Sequence, residues 1–225
     1  MARQSASKPA AFQHDKTVGS EEWLTPKPLV DALDLPRLAD VDPCSPRRRP
    51  WPTAKTHWHK AHDGLSRPWD VTAFYWVNPP YGAACRLWMA KAAAHGNGLL
   101  LIFARTDTRA FHESVWRHRN AAAVLFFEGR LRFATPNGQE AGSAGAPSAL
   151  IAYGQKAYEA LVRAVRAGTI KGRIVPLMDA GKIQTWPRPQ RRFGHSQAPA
   201  PVSATATHPR AAAQRPARGR GGRAS

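Results

Sequence analysis

The stretch FYWVNPPYG, residues 74–82, sets the frame for the whole chain. Its β-branched and aromatic run breaks off at an Asn followed by two prolines, which predicts a buried strand that stops there and carries a stiff polar turn at its end. Pro79 and Pro80 have a fixed φ and no N–H, so the carbonyls of Asn78 and Pro79 stay outside any strand ladder. Those acceptors and the Asn78 amide form a small cup, with Tyr81 beside it as a flat wall. Such a cup suits a planar amine: two acceptors take the two amine hydrogens, the nitrogen lone pair leaves conjugation with its ring, and an electrophile can then be attacked. The same Asn-Pro-Pro turn can also end a strand with no chemistry attached.

Working outward, the segment after the motif (AACRLWMAKAAAHGNG) reads as a helix over residues 83–94 stopped by Gly96, and LLLIFA as a buried strand. Asp107 or Thr108 caps the helix that follows, and Arg105, at the carboxyl end of that strand, is placed for a site. AAVLFFEGRLRF reads as a hairpin turning at Glu128-Gly129, TPNGQEAGSAGAP as loose, and PSALIAYG as another strand. Residues 155–167 form an amphipathic helix with Tyr158, Leu161, Val162 and Val165 on one face. Upstream, Thr25 is an N-cap and Pro26 a first-turn residue for a helix over 26–34, and LADVDPCSP is a short strand ending at Asp42-Pro43. Between them and the motif lies a basic loop with Trp and His interleaved. His57, His59 and His62 beside Asp63 raise a zinc reading, but no second cluster completes a structural site, so no metal is expected.

The totals bound the rest. The chain has 225 residues, with 33 Lys and Arg against 15 Asp and Glu, a net charge of +18. That suits one domain with tails and points to a polyanionic partner. Residues 181–225 hold nine Lys and Arg and no acid, so half the excess sits in a stretch rich in Pro, Ala, Arg and Gly. Residues 1–20 and 181–225 are expected to be disordered, around a folded domain over 21–180. Two cysteines, Cys44 and Cys85, imply no disulfide framework, and no apolar run reaches the roughly 18 residues that span a membrane. A cytoplasmic monomer with no membrane association is the expectation.

Taken in order, EWLTP, the DP turn, DGLSRPW, WVNPPYG with Trp88 following, ARTDTRAFH, GRLRF and PSALIAY resemble the phage-encoded DNA adenine methyltransferases, the Dam-like group. NPPY resembles their catalytic motif IV. The resemblance covers residues 21 to about 153 and implies an α/β class I methyltransferase fold, Rossmann-like, with a mixed, mostly parallel sheet flanked by helices and one hairpin as an antiparallel edge. It also implies S-adenosylmethionine as cofactor and double-stranded DNA as partner, with the target adenine rotated out of the duplex. By the same resemblance Trp23, Thr25 and Pro26 border the methionine end of the cofactor, Asp42 and Pro43 form the motif I turn, and Asp63 meets its adenine. Asn78, Pro79, Pro80 and Tyr81 are then catalytic, with Tyr81 and Arg105 also on the substrate. The chain departs from the pattern in lacking a Gly-x-Gly and any acid between Asp42 and Asp63. The alternatives are a cytosine 4-amino, RNA or protein glutamine methyltransferase, or a catalytically idle DNA-binding protein on the same fold.

Overall fold

A computed structural model describes residues 23–177. The expected arm at 1–20 and tail at 181–225 lie outside the described residues. In chain order the elements are α1 (Lys27–Ala32), α2 (Leu35–Leu38), β1 (Val41–Asp42), β2 (Thr56–His57), β3 (Tyr75–Val77), α3 (Cys85–His95), β4 (Gly98–Phe103) and α4 (Arg109–Phe111), which runs into a π-helical turn at His112–Trp116. There follow β5 (Ala121–Phe127), β6 (Arg132–Ala134), β7 (Glu140–Ser143), β8 (Ser148–Tyr153), α5 (Gln155–Arg166) and β9 (Gly172–Pro176).

Seven strands form one sheet in the order β2-β1-β3-β4-β8-β5-β9. The first four pair in parallel; β8 is antiparallel to both β4 and β5, so β5 runs with β4, and β9 is again reversed. The result is an α/β fold with a mixed, mostly parallel sheet. Both faces are covered, which is why the strands read as continuous apolar runs rather than alternating ones. Trp76, Leu99, Leu101, Leu125 and Leu150 pack under α1, α2 and α5. Tyr75, Val77, Leu100, Ile102 and Ile151 pack under α3, α4 and the π-helical turn. Among the described residues no helix is long and apolar enough to cross a membrane.

Local chemistry accounts for the ends that position the site. β3 stops at Val77, its last partner being Leu100, because Pro79 and Pro80 cannot donate to β4. α3 ends where Gly96 turns left-handed at φ +79°, a position at which any Cβ would lie 2.6 Å from the Asn120 amide that donates to the Ala93 carbonyl.

Four expectations are corrected. The Glu128-Gly129 turn does not fold a hairpin: β5 pairs with β8 and β9, while β6 pairs with β7 in a separate two-stranded sheet. The stretch expected to be loose therefore contains β7. Thr25 does not cap α1, whose N-cap is Pro26; its buried hydroxyl instead accepts from the Trp76 indole at 3.1 Å. The basic loop holds the edge strand β2, and α2 and β9 had no clear local signal: one is four residues long, the other carries a Gly and a Pro.

Candidate active site

The carboxyl ends of β1, β3 and β4 lie side by side, and the chain leaves β1 toward β2 on one side and β3 on the other. Where strand order reverses in this way, the flanking loops diverge and open a crevice. Asp42 stands on one lip of it and Asn78 on the other.

On the β3 side, Asn78 is held by two bonds. Its Nδ2 donates to the Trp23 carbonyl at 2.9 Å, and its Oδ1 accepts from the Tyr81 hydroxyl at 3.3 Å. An amide oxygen has two lone pairs, so one acceptor site remains. Among the described residues no group donates to the Pro79 carbonyl. Tyr81 stacks on Phe103 (centroids 4.3 Å apart, planes at 24°) and meets Phe133 edge-on at 5.7 Å. Burial pushes its phenol well above the usual range, so it stays a neutral donor. These rings, with Trp23 and the β7–β8 backbone, line a cavity of about 370 Å³ with Arg105 on its wall.

The β1 side has the opposite character. Asp42 is buried, and its carboxylate accepts from the Thr53 hydroxyl and, at 3.2 Å, from the Cys44 N–H. Burial raises its pKa to about 6, against the partial relief those donors give. The slot between Trp23–Thr25 and the turn at residues 42–46 is crossed by Pro46 and Arg49 and holds about 10 Å³, the room of a single water. A strap over residues 46–51 closes it: the Trp51 indole donates to the Thr25 carbonyl at 3.0 Å, and Pro50 sits against Gly138 between β6 and β7.

Trp23, Thr25, Asp42 and Asn78 are thus brought to one place, with Tyr81 and Arg105 around the adjoining cavity. Pro26 begins α1 behind them. Asp63 is exposed, left-handed at φ 46°, and spends its carboxylate on its own turn, where Ser66 holds it below the usual carboxylate range. The next residue, Gly64, touches the Pro43 carbonyl so closely that a Cβ would lie 2.1 Å from it. His57 accepts from the Thr53 and Ala54 amides, and burial lowers its pKa to about 4. Among the described residues no three His, Cys, Asp or Glu converge on a possible metal position. Burial raises both thiols, Cys85 to about 11 and Cys44 well above the usual range, so neither is a ready nucleophile.

Sequence reading missed Phe103, Phe133, Thr53 and Trp51. Phe133 lies inside GRLRF, a stretch it had singled out; the others carry no local signal. Compared with family models, with curated proteins and with solved structures, the chain matches none.

Proposed function

We propose that the protein transfers a methyl group to the exocyclic amine of a nucleobase, with the 6-amino group of adenine in double-stranded DNA as the substrate. The observation that carries this reading is the pair of acceptors at the end of β3, Asn78 Oδ1 with a lone pair to spare and the buried Pro79 carbonyl, joined through the Tyr81 hydroxyl to a ring that lines the 370 Å³ aromatic cavity. A rotated base would enter between Trp23, Tyr81 and Phe133, at the cost of a few kcal/mol of lost stacking. Its amine would donate to both acceptors, which draws the nitrogen lone pair out of the ring. Asn78 is preorganised for this by its bond to Trp23, so little rearrangement accompanies the reaction. Arg105 would meet the phosphate of the rotated nucleotide.

The methyl source this reading requires is S-adenosylmethionine. The polar lining around Thr25 and Asp42 suits its methionine end, but 10 Å³ does not accommodate it. The reading therefore demands that the strap over residues 46–51 yield. That same closure favours a second reading, a basic DNA-binding protein that does no chemistry. Incubating the full chain with duplex DNA and methyl-labelled S-adenosylmethionine, then digesting to nucleosides for mass spectrometry, separates them. N6-methyladenine is expected; N4-methylcytosine would move the substrate; no labelled nucleoside and no bound cofactor would leave the DNA-binding reading.

A further inference from the structure

A second cavity of about 420 Å³ lies on the other side of the Tyr81–Phe103 stack, beneath α3 and α4. The two cavities share Tyr81, Phe103 and Arg105 and nothing else. They occupy opposite faces of the sheet at the carboxyl end of β4: Phe133 of the first belongs to the α1, α2 and α5 side, and Met89, Ile102 and Phe111 of the second to the α3 side. The aromatic stack is therefore a crest with a pocket on each flank. Each volume falls in the roughly 300–1,000 Å³ range of small-molecule pockets.

The chemistry of the second cavity is specific. Its floor is Met89, Ile102 and Phe111, all buried and apolar, and its exposed mouth carries Arg86 and Arg105. No carboxylate lines it, and among the described residues neither guanidinium has an acidic partner within ion-pair distance. An apolar slot under two unpaired, forked cations takes a flat ring bearing a phosphate.

Resting on the function proposed above, we infer that this cavity is a subsite for the nucleotide adjoining the target, so that two consecutive nucleotides straddle the Tyr81–Phe103 crest with the phosphate between them on Arg105. Arg86, which lines only the second cavity, takes the outer phosphate. Stacking against apolar and aromatic side chains tolerates any base, so the subsite adds affinity more than sequence choice.

The test compares binding of deoxyadenosine 5′-monophosphate and of the 5′-phosphorylated deoxyadenosine dinucleotide to the full chain by calorimetry. The dinucleotide is expected to bind about tenfold more tightly. Arg86→Gln and Ala83→Trp, both at exposed positions on the second cavity, should erase that advantage and leave mononucleotide binding at the first cavity, which neither residue lines, untouched; Arg105→Gln should weaken both. Arg173→Gln, exposed on β9, removes the same charge elsewhere and should change neither. Circular dichroism verifies folding. Equal affinities in the unaltered chain, binding of neither ligand, or an advantage that survives both second-cavity variants or falls equally with Arg173→Gln would overturn the subsite. N6-methyladenine formation alongside equal affinities would remove the subsite and keep the function. A cavity-dependent advantage without any methylated nucleoside would keep a nucleotide site and remove the function.

Discussion

At the carboxyl edge of the sheet the ends of β3 and β1 are neighbours, yet the first opens on a 370 Å³ aromatic cavity and the second on a slot of about 10 Å³. The contrast follows from what each end has to satisfy. After β3 the prolines keep the Asn78 and Pro79 carbonyls out of the ladder, and Tyr81, Phe103 and Phe133 pack on one another as an apolar wall that leaves the space toward Trp23 unfilled. After β1 a carboxylate is buried, and burial forces the chain to supply its own donors, so Thr53, Cys44 and the strap fold in around it. An open half and a self-bonded half of one crevice are two states of the same demand for hydrogen-bond partners.

The largest expected effect breaks the open half. Asn78→Ala removes a preorganised acceptor and should lower methyl transfer by about a hundredfold or more, measured as labelled methyl incorporated into DNA. Near-normal turnover in a folded variant would mean that the cup is not where chemistry happens. From sequence alone Asp is the gentler replacement, since a carboxylate reaches the same amine. The bond from Asn78 Nδ2 to the Trp23 carbonyl reverses that: Asp would set an acceptor against an acceptor. Asn78→Asp should cost about 1–3 kcal/mol of stability by thermal unfolding, and an unaffected melting temperature would show that the amide bond to Trp23 is dispensable.

Next in size is the closed half. The folded pKa of Asp42, about 6, lies above the ordinary 3.8, so its contribution to stability is fully present below about pH 4 and is lost as pH rises through 6. Across that window the loss amounts to at most about 3 kcal/mol. Asp42→Asn keeps partners for Thr53 and Cys44 without the charge, so it should be the more stable protein at pH 8 and converge on the parent near pH 4. Urea titrations at the two pH values decide this, and a variant weaker at pH 8 would show the carboxylate to be held more comfortably than its burial implies.

The smallest effect sharpens the comparison. Trp51→Phe removes only the indole bond to Thr25, worth roughly 0.5–1.5 kcal/mol, and should let the strap yield more readily. S-adenosylmethionine should then bind several-fold more tightly in calorimetry. Unchanged or weaker binding would detach the strap from the cofactor altogether.

What could be read in the sequence was what short stretches enforce. The stop of β3, the Gly96 end of α3, the apolar strands β4 and β8 and the striped helix α5 each follow from residues within a turn or two of one another. Thr108 likewise caps α4 as its position suggests, accepting from the Phe111 N–H at 3.3 Å. The hairpin failed because Gly129 does turn the chain, at φ +82°, but the strand that fills the place beside β5 comes from residues 148–153. Nothing local encodes that choice. In the site, the cup was legible because two prolines determine it, whereas closure of the β1 slot depends on Trp51 finding Thr25 across 26 residues. The wall expected of Tyr81 exists, but Phe103 already occupies one face of it.

The position of β8 also dictates when this sheet can be completed. β4 and β5 run the same way and never touch, because the antiparallel β8 lies between them, with Leu100 and Val124 both opposite Ile151. Folding therefore leaves two apolar strand edges, LLLIF and AAAVLFF, unjoined until the later segment 148–153 pairs with both. Pairings so distant along the chain are slow to form and leave edges open to other molecules meanwhile. Until residues 148–153 slide into place, the facing edges of β4 and β5 are the adhesive part of this fold.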